Sequence, residues 1–138
     1  MPQKDLYHDV VAEALRTDGW VITDDSLHLT YGGRNFYVDL GAERLLGAVK
    51  ENQKIAIEIK SFIGLSEMYQ LELAIGQYNL YRDVLSENEL DRMLFLAVPD
   101  FAYWEVFNDP LGQLVIQRQR LNLIVFDEDS RRIVQWIP

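Results

Sequence analysis

The sequence predicts an α/β sandwich built around one mixed β-sheet, and three observations support that fold class. Helical and strand periodicities follow one another in the order helix, three or four strands, helix, strand, helix, two strands. The run RMLFLAVP (Arg92 to Pro99) is almost solidly apolar, as befits a strand covered on both faces. The stretch KIAIEIKSF (Lys54 to Phe62) alternates instead, with isoleucines at 55, 57 and 59 and charges at 58 and 60.

Taken in order, DLYHDVVAEALRT (Asp5 to Thr17) reads as a first helix, with Asp5 as N-cap and Gly19 just past the end. Leu6, Val10 and Ala14 form its predicted apolar stripe, and Glu13 falls on the border of that stripe. WVITDDSLHLTYGGRNFYVDL then holds two strand-like runs joined at Tyr31-Gly32-Gly33, a hairpin signal. RLLGAVKENQKIAIEIK predicts a second hairpin turning at Glu51-Asn52. From about Ser66 to Ser86, Met68, Leu71, Ile75, Tyr78 and Leu85 recur at helical spacing. Asp100 to Arg120 reads as helical, interrupted at Asp109-Pro110-Leu111-Gly112. NLIVFD and RIVQWI, on either side of Glu128-Asp129-Ser130, supply two last strands.

Composition bounds the function. A chain of 138 residues, 49% apolar and 25% charged, has the size and make-up of one soluble globular domain spanning 1–138. The absence of cysteine excludes disulfides, thiolate catalysis and thiolate zinc sites. No apolar run reaches the ~20 residues of a membrane span, and MPQKDLYHD lacks signal-peptide character, so a cytoplasmic protein is expected. The net charge of −9 matters most. Binding to nucleic acid is driven by neutralising phosphates, so a chain this acidic needs a local basic patch, a metal ion or a basic partner to do it.

The alternation in KIAIEIKSF puts Glu58 and Lys60 on one face of a strand. Upstream, NFYVDLGAE leaves Asp39 near a strand end. If the two strands are neighbours, Asp39 and Glu58 converge, and with a backbone carbonyl they suit Mg²⁺. Lys60 would then sit where it can hold an attacking water or neutralise charge growing on a phosphate. The competing interpretation makes Glu58 and Lys60 a solvated strand face with cross-strand ion pairing. Gln77 and Tyr81, four residues apart on the second helix, project about 40° from each other and together suit contacts to a nucleic-acid backbone. The alternative makes Tyr81 a core residue and Gln77 a boundary residue. Glu13 is either a third carboxylate near the metal or a surface acid paired with Arg16. His8 and His28 lack ligand spacing to one another and read as structural or exposed. YGGR reads as a turn, and Trp20, Trp104 and Trp136 as core or interface residues.

KDLYHDVVAEALRTDGW, YVDLGAERLL, KIAIEIKSF, GQYNLYR, LFLAVP and IVQW, in that order from Lys4 to Trp136, together resemble the XisH family of cyanobacterial fdxN-element excision controlling factors. The resemblance implies a restriction-endonuclease-like α/β/α sandwich around a mixed β-sheet, of the PD-(D/E)xK type. It implies a role in excising a DNA element during heterocyst differentiation, beside a site-specific recombinase and a small XisI-type partner; no membrane is expected, and a homo-oligomer is allowed. Carried over residue by residue, the nuclease pattern falls on Asp39, Glu58 and Lys60 as catalytic residues, with Mg²⁺ or Mn²⁺ on Asp39 and Glu58. Gln77 and Tyr81 match a Gln-x-x-x-Tyr found in some nuclease branches. Val38 stands where the pattern has proline. The alternative function is a non-catalytic regulatory subunit working through protein contacts, for which PDFAYWEVF offers aromatic anchors.

Overall fold

The computed structural model of the protein describes residues 4–45, 52–64, 66–88 and 91–138. Six strands form the main sheet in the order β1 (Val21–Asp24), β4 (Leu40–Leu45), β5 (Asn52–Ile59), β6 (Arg92–Pro99), β7 (Leu123–Asp127), β8 (Arg132–Ile137). The pairs β5–β6 and β6–β7 are parallel, and the flanking pairs are antiparallel. The sheet is therefore mixed, as expected. Parallel neighbours need long crossovers. Helix α2 (Glu67–Asn88) supplies the first, and α3 (Asp100–Ala102), a π-helical segment (Tyr103–Phe107) and α4 (Pro110–Arg118) supply the second.

Side-chain alternation divides the interior into two cores. Ile55, Ile57 and Ile59 point to the face covered by α1 (His8–Thr17), where they meet Val10, Val11 and Leu15. Ala56, Leu94, Leu96 and Val98 point to the other face, under Leu71, Ala74, Tyr78 and Leu85 of α2. With both faces covered, β6 is buried over nearly its whole length, which is why its sequence does not alternate. Glu58 shares a face with Ala56, so it points toward the α2 side.

Several boundaries differ from expectation. Among the described residues five strands, not three or four, precede α2. β2 (Leu27–Tyr31) and β3 (Arg34–Val38) form a separate hairpin, whereas β1 pairs with β4 in the main sheet. Gly32 and Gly33 take φ of +58° and +77° at the hairpin turn, a conformation that favours glycine. Helix α1 starts at His8. Asp5 acts one step earlier, its Oδ1 accepting from the Tyr7 N–H at 2.9 Å, and Leu6 is exposed rather than part of the stripe. Asn52 belongs to β5, opposite Leu45, while Glu51 lies outside the described residues. The interruption before α4 is confined to Asn108-Asp109. Asp109 caps the helix by accepting from the Gly112 N–H at 2.7 Å, and Pro110 occupies its first turn. Among the described residues no helix is long and apolar enough to cross a membrane.

Candidate functional site

Asp39 is the single residue between β3 and β4, and the β4–β5 register brings it beside Glu58 and Ile59 at the end of strand β5. There Asp39 and Glu58 clamp one another's strands. The Asp39 N–H donates to Glu58 Oε1 at 3.3 Å, and the Ile59 N–H donates to Asp39 Oδ2 at 2.7 Å. Lys60 lies one residue past β5, held to β6 by its N–H bond to the Ala97 carbonyl at 3.0 Å. Its Nζ stands 3.8 Å from Glu58 Oε2. Two residues on, Phe62 takes φ +56° and sets its ring edge-on against Phe107 at 5.6 Å, which anchors the segment after the strand.

Burial dominates the electrostatics. Glu58 is 5% exposed. Desolvation, then the charge of Asp39, pushes its carboxyl up to about 8, against the opposing pull of Lys60. Desolvation also raises Asp39, opposed by its bonds to Ile59 and Glu58 and by the nearby His8 and Lys60. The pair therefore retains a proton near neutrality, and the titration belongs to both residues.

Gln77 and Tyr81 stand on the same flank of α2. Burial, followed by the charges of Glu58 and Asp39, raises the Tyr81 hydroxyl, which places that hydroxyl within electrostatic reach of the pair. The Tyr81 ring meets Phe36 edge-on at 6.3 Å. One turn earlier, Gln77 Oε1 is sealed from solvent with no hydrogen-bond partner among the described residues. Glu13 is placed elsewhere. It is exposed and ion-paired with Arg131, in the turn before β8, rather than with Arg16. Among the described residues no group of three or more His, Asp or Glu side chains is arranged to hold a metal.

His8 is the residue that sequence reasoning passed over. It is 3% exposed; Nε2 contacts Asp25 Oδ1 at 2.9 Å, and Nδ1 is buried with no hydrogen-bond partner among the described residues. Its charge acts on Asp39 from the α1 side. The available signal was its register: His8, Val11, Ala12 and Leu15 recur at i, i+3, i+4 and i+7, so His8 heads the buried stripe. Two adjacent carboxylates, Asp39 and Glu58, are of the type that suits a hard divalent cation.

The family model described as XisH protein matches residues 1–134. Two solved structures are similar over nearly the whole chain. An XisH family protein from Nostoc punctiforme PCC 73102 is 36% identical with a TM-score of 0.88, covering 97% of this chain and 100% of its own. A protein from Anabaena variabilis described as an fdxN element excision controlling factor is 38% identical with a TM-score of 0.88, covering 98% of this chain and 100% of its own. No curated protein matches.

Proposed function

Since the chain belongs to the XisH family, we propose that it acts in excision of a DNA element and keeps the metal-dependent phosphodiester chemistry of a restriction-endonuclease-like, PD-(D/E)xK fold. The reciprocal clamp between Asp39 and Glu58, with Lys60 Nζ 3.8 Å from Glu58, is the observation that supports it. Asp39 and Glu58 would hold Mg²⁺ or Mn²⁺, which supplies Lewis acidity and a more acidic bound water. Lys60 sets positive charge beside the carboxylates, where charge grows on a cleaved phosphate. Tyr81 through its hydroxyl, and Gln77 through its side-chain NH2, would supply donors on the α2 side for contacts to a strand backbone. His8, held by Asp25 at Nε2, adds its charge to the surroundings of Asp39. An XisI-type partner and the recombinase would bring DNA to a chain of net charge −9, which disfavours binding alone.

Incubation of the purified protein, with and without the partner, with supercoiled and branched DNA in Mg²⁺ or Mn²⁺ tests this. Metal-dependent nicking is expected, falling at least roughly a hundredfold in Lys60→Ala and Asp39→Asn. No cleavage of any DNA form with the partner present would overturn it. The second reading, a non-catalytic regulatory subunit, is favoured by the acidic balance and by Trp104, 59% exposed in PDFAYWEVF. It requires that a folded Asp39→Ala protein still support excision.

A further inference from the structure

Helix α2 has an apolar side that the fold does not use. Leu71, Ala74, Tyr78 and Leu85 face the sheet. Around the opposite side run Tyr69, Leu73, Gly76 and Leu80, spaced by four, three and four residues, the seam by which one helix packs along another. Tyr69, Leu73 and Leu80 are 55%, 48% and 50% exposed. A Cβ on Gly76 would meet nothing within 4 Å, so a neighbouring backbone can approach closely there. The same spacing runs on into Asp83 and Glu87. Beside them a hollow of about 380 Å³ opens between Tyr31, Leu80, Asp83, Val84 and Glu87.

Charge selects the occupant. Along α2 stand Glu67, Glu72, Asp83 and Glu87 against one base, Arg82. Arg82 is turned away, donating to the Gln119 carbonyl at 2.7 Å with its guanidinium over the Tyr78 ring. A second copy of this helix would bring the same acids and no base to answer them. We propose that this face of α2 seats an amphipathic helix of a partner protein whose apolar seam is flanked by Lys or Arg. One basic side chain lays its stem on Leu80 and Val84 and its charge between Asp83 and Glu87. Tyr69 to Glu87 spans about 27 Å, which sets a partner helix of about five turns. Tyr81 leaves the seam about 100° around the axis, so an occupied seam leaves the Asp39–Glu58 pair uncovered.

The test uses the full chain and two labelled synthetic helices of about 18 residues. Both carry leucine at the seam positions, one with arginine flanks and one with glutamate flanks. Fluorescence anisotropy should show saturable binding of the arginine peptide, weakening with salt, and none of the glutamate peptide. Binding should fall at least roughly tenfold in Leu73→Glu and in Leu80→Glu, both at exposed positions and each checked for an unchanged melt. Asp83→Lys with Glu87→Lys should reverse the preference between the two peptides. Absence of binding, or binding that ignores Leu73→Glu and the charge reversal, overturns the proposal. So does a dimer of the chain alone in sedimentation that Leu73→Glu dissociates, since the seam would then belong to a second copy.

Discussion

At the scale of single residues, Glu58 concentrates the cost of the site. Its carboxyl is almost wholly buried, next to a second carboxyl, with Lys60 in reach. Its folded value lies near 8, well above the ordinary 4.5, so the folded protein keeps a proton that the unfolded chain has released. Stability from this group is complete below pH 4.5 and is lost as pH rises toward about 8, with a slope of about 1.4 kcal/mol per pH unit. Gln imitates the protonated form and can still donate to Asp39. Glu58→Gln is therefore expected to raise the melting temperature at pH 8, leave it nearly unchanged at pH 4.5, and flatten the profile between. A variant with the wild-type slope would place the titration elsewhere. The position of Glu58 and Lys60 was legible because strand alternation needs only local sequence. His8 beside Asp39, and Glu13 beside Arg131 at a separation of 118 residues, depend on tertiary placement that no local pattern encodes.

At the scale of elements, the second crossover shows how a short polar cue sets a long geometry. Asp109 caps α4, and Gly112 lies against the end of the π-helical segment, where an added Cβ would come 2.4 Å from the Val106 carbonyl oxygen and from Phe107 Cα. Asp109→Ala removes one hydrogen bond at a helix start and should cost about 1 kcal/mol in urea unfolding. Gly112→Ala should cost more, because the clash is with backbone that cannot rotate away. An Ala at 112 tolerated at no greater cost than the cap loss would mean that α4 is free to shift. The Asp-Pro-Leu-Gly cue made this break visible in sequence, just as Gly32-Gly33 marked the β2–β3 hairpin. The π-helical segment and the pairing of β1 with β4 left no such mark. The first arises from packing, with Phe107 wholly buried, and the second joins strands separated by a whole hairpin.

At the scale of the whole molecule, a net charge of −9 and a buried carboxylate pair pull the same way. Both favour a cation at the site and both disfavour DNA until charge is neutralised. Divalent metal and the proton compete for Asp39 and Glu58, since an ion binds the ionised oxygens that protonation removes. Metal affinity should therefore grow as pH rises toward the value near 8 to which Glu58 is pushed. Stabilisation by a ligand of the folded state follows its saturation, about 2.7 kcal/mol at a hundredfold excess over Kd. Mn²⁺ or Mg²⁺ at millimolar concentration is expected to raise the melting temperature strongly at pH 8, less at pH 7 and hardly at all near pH 4.5. In Asp39→Asn the shift should vanish at every pH. In Glu13→Gln it should survive intact, because Glu13 is engaged by Arg131 away from the pair. A shift that is equal at all pH values, or that survives Asp39→Asn, would locate the cation among the surface acids and leave the pair as a structural clamp between β4 and β5.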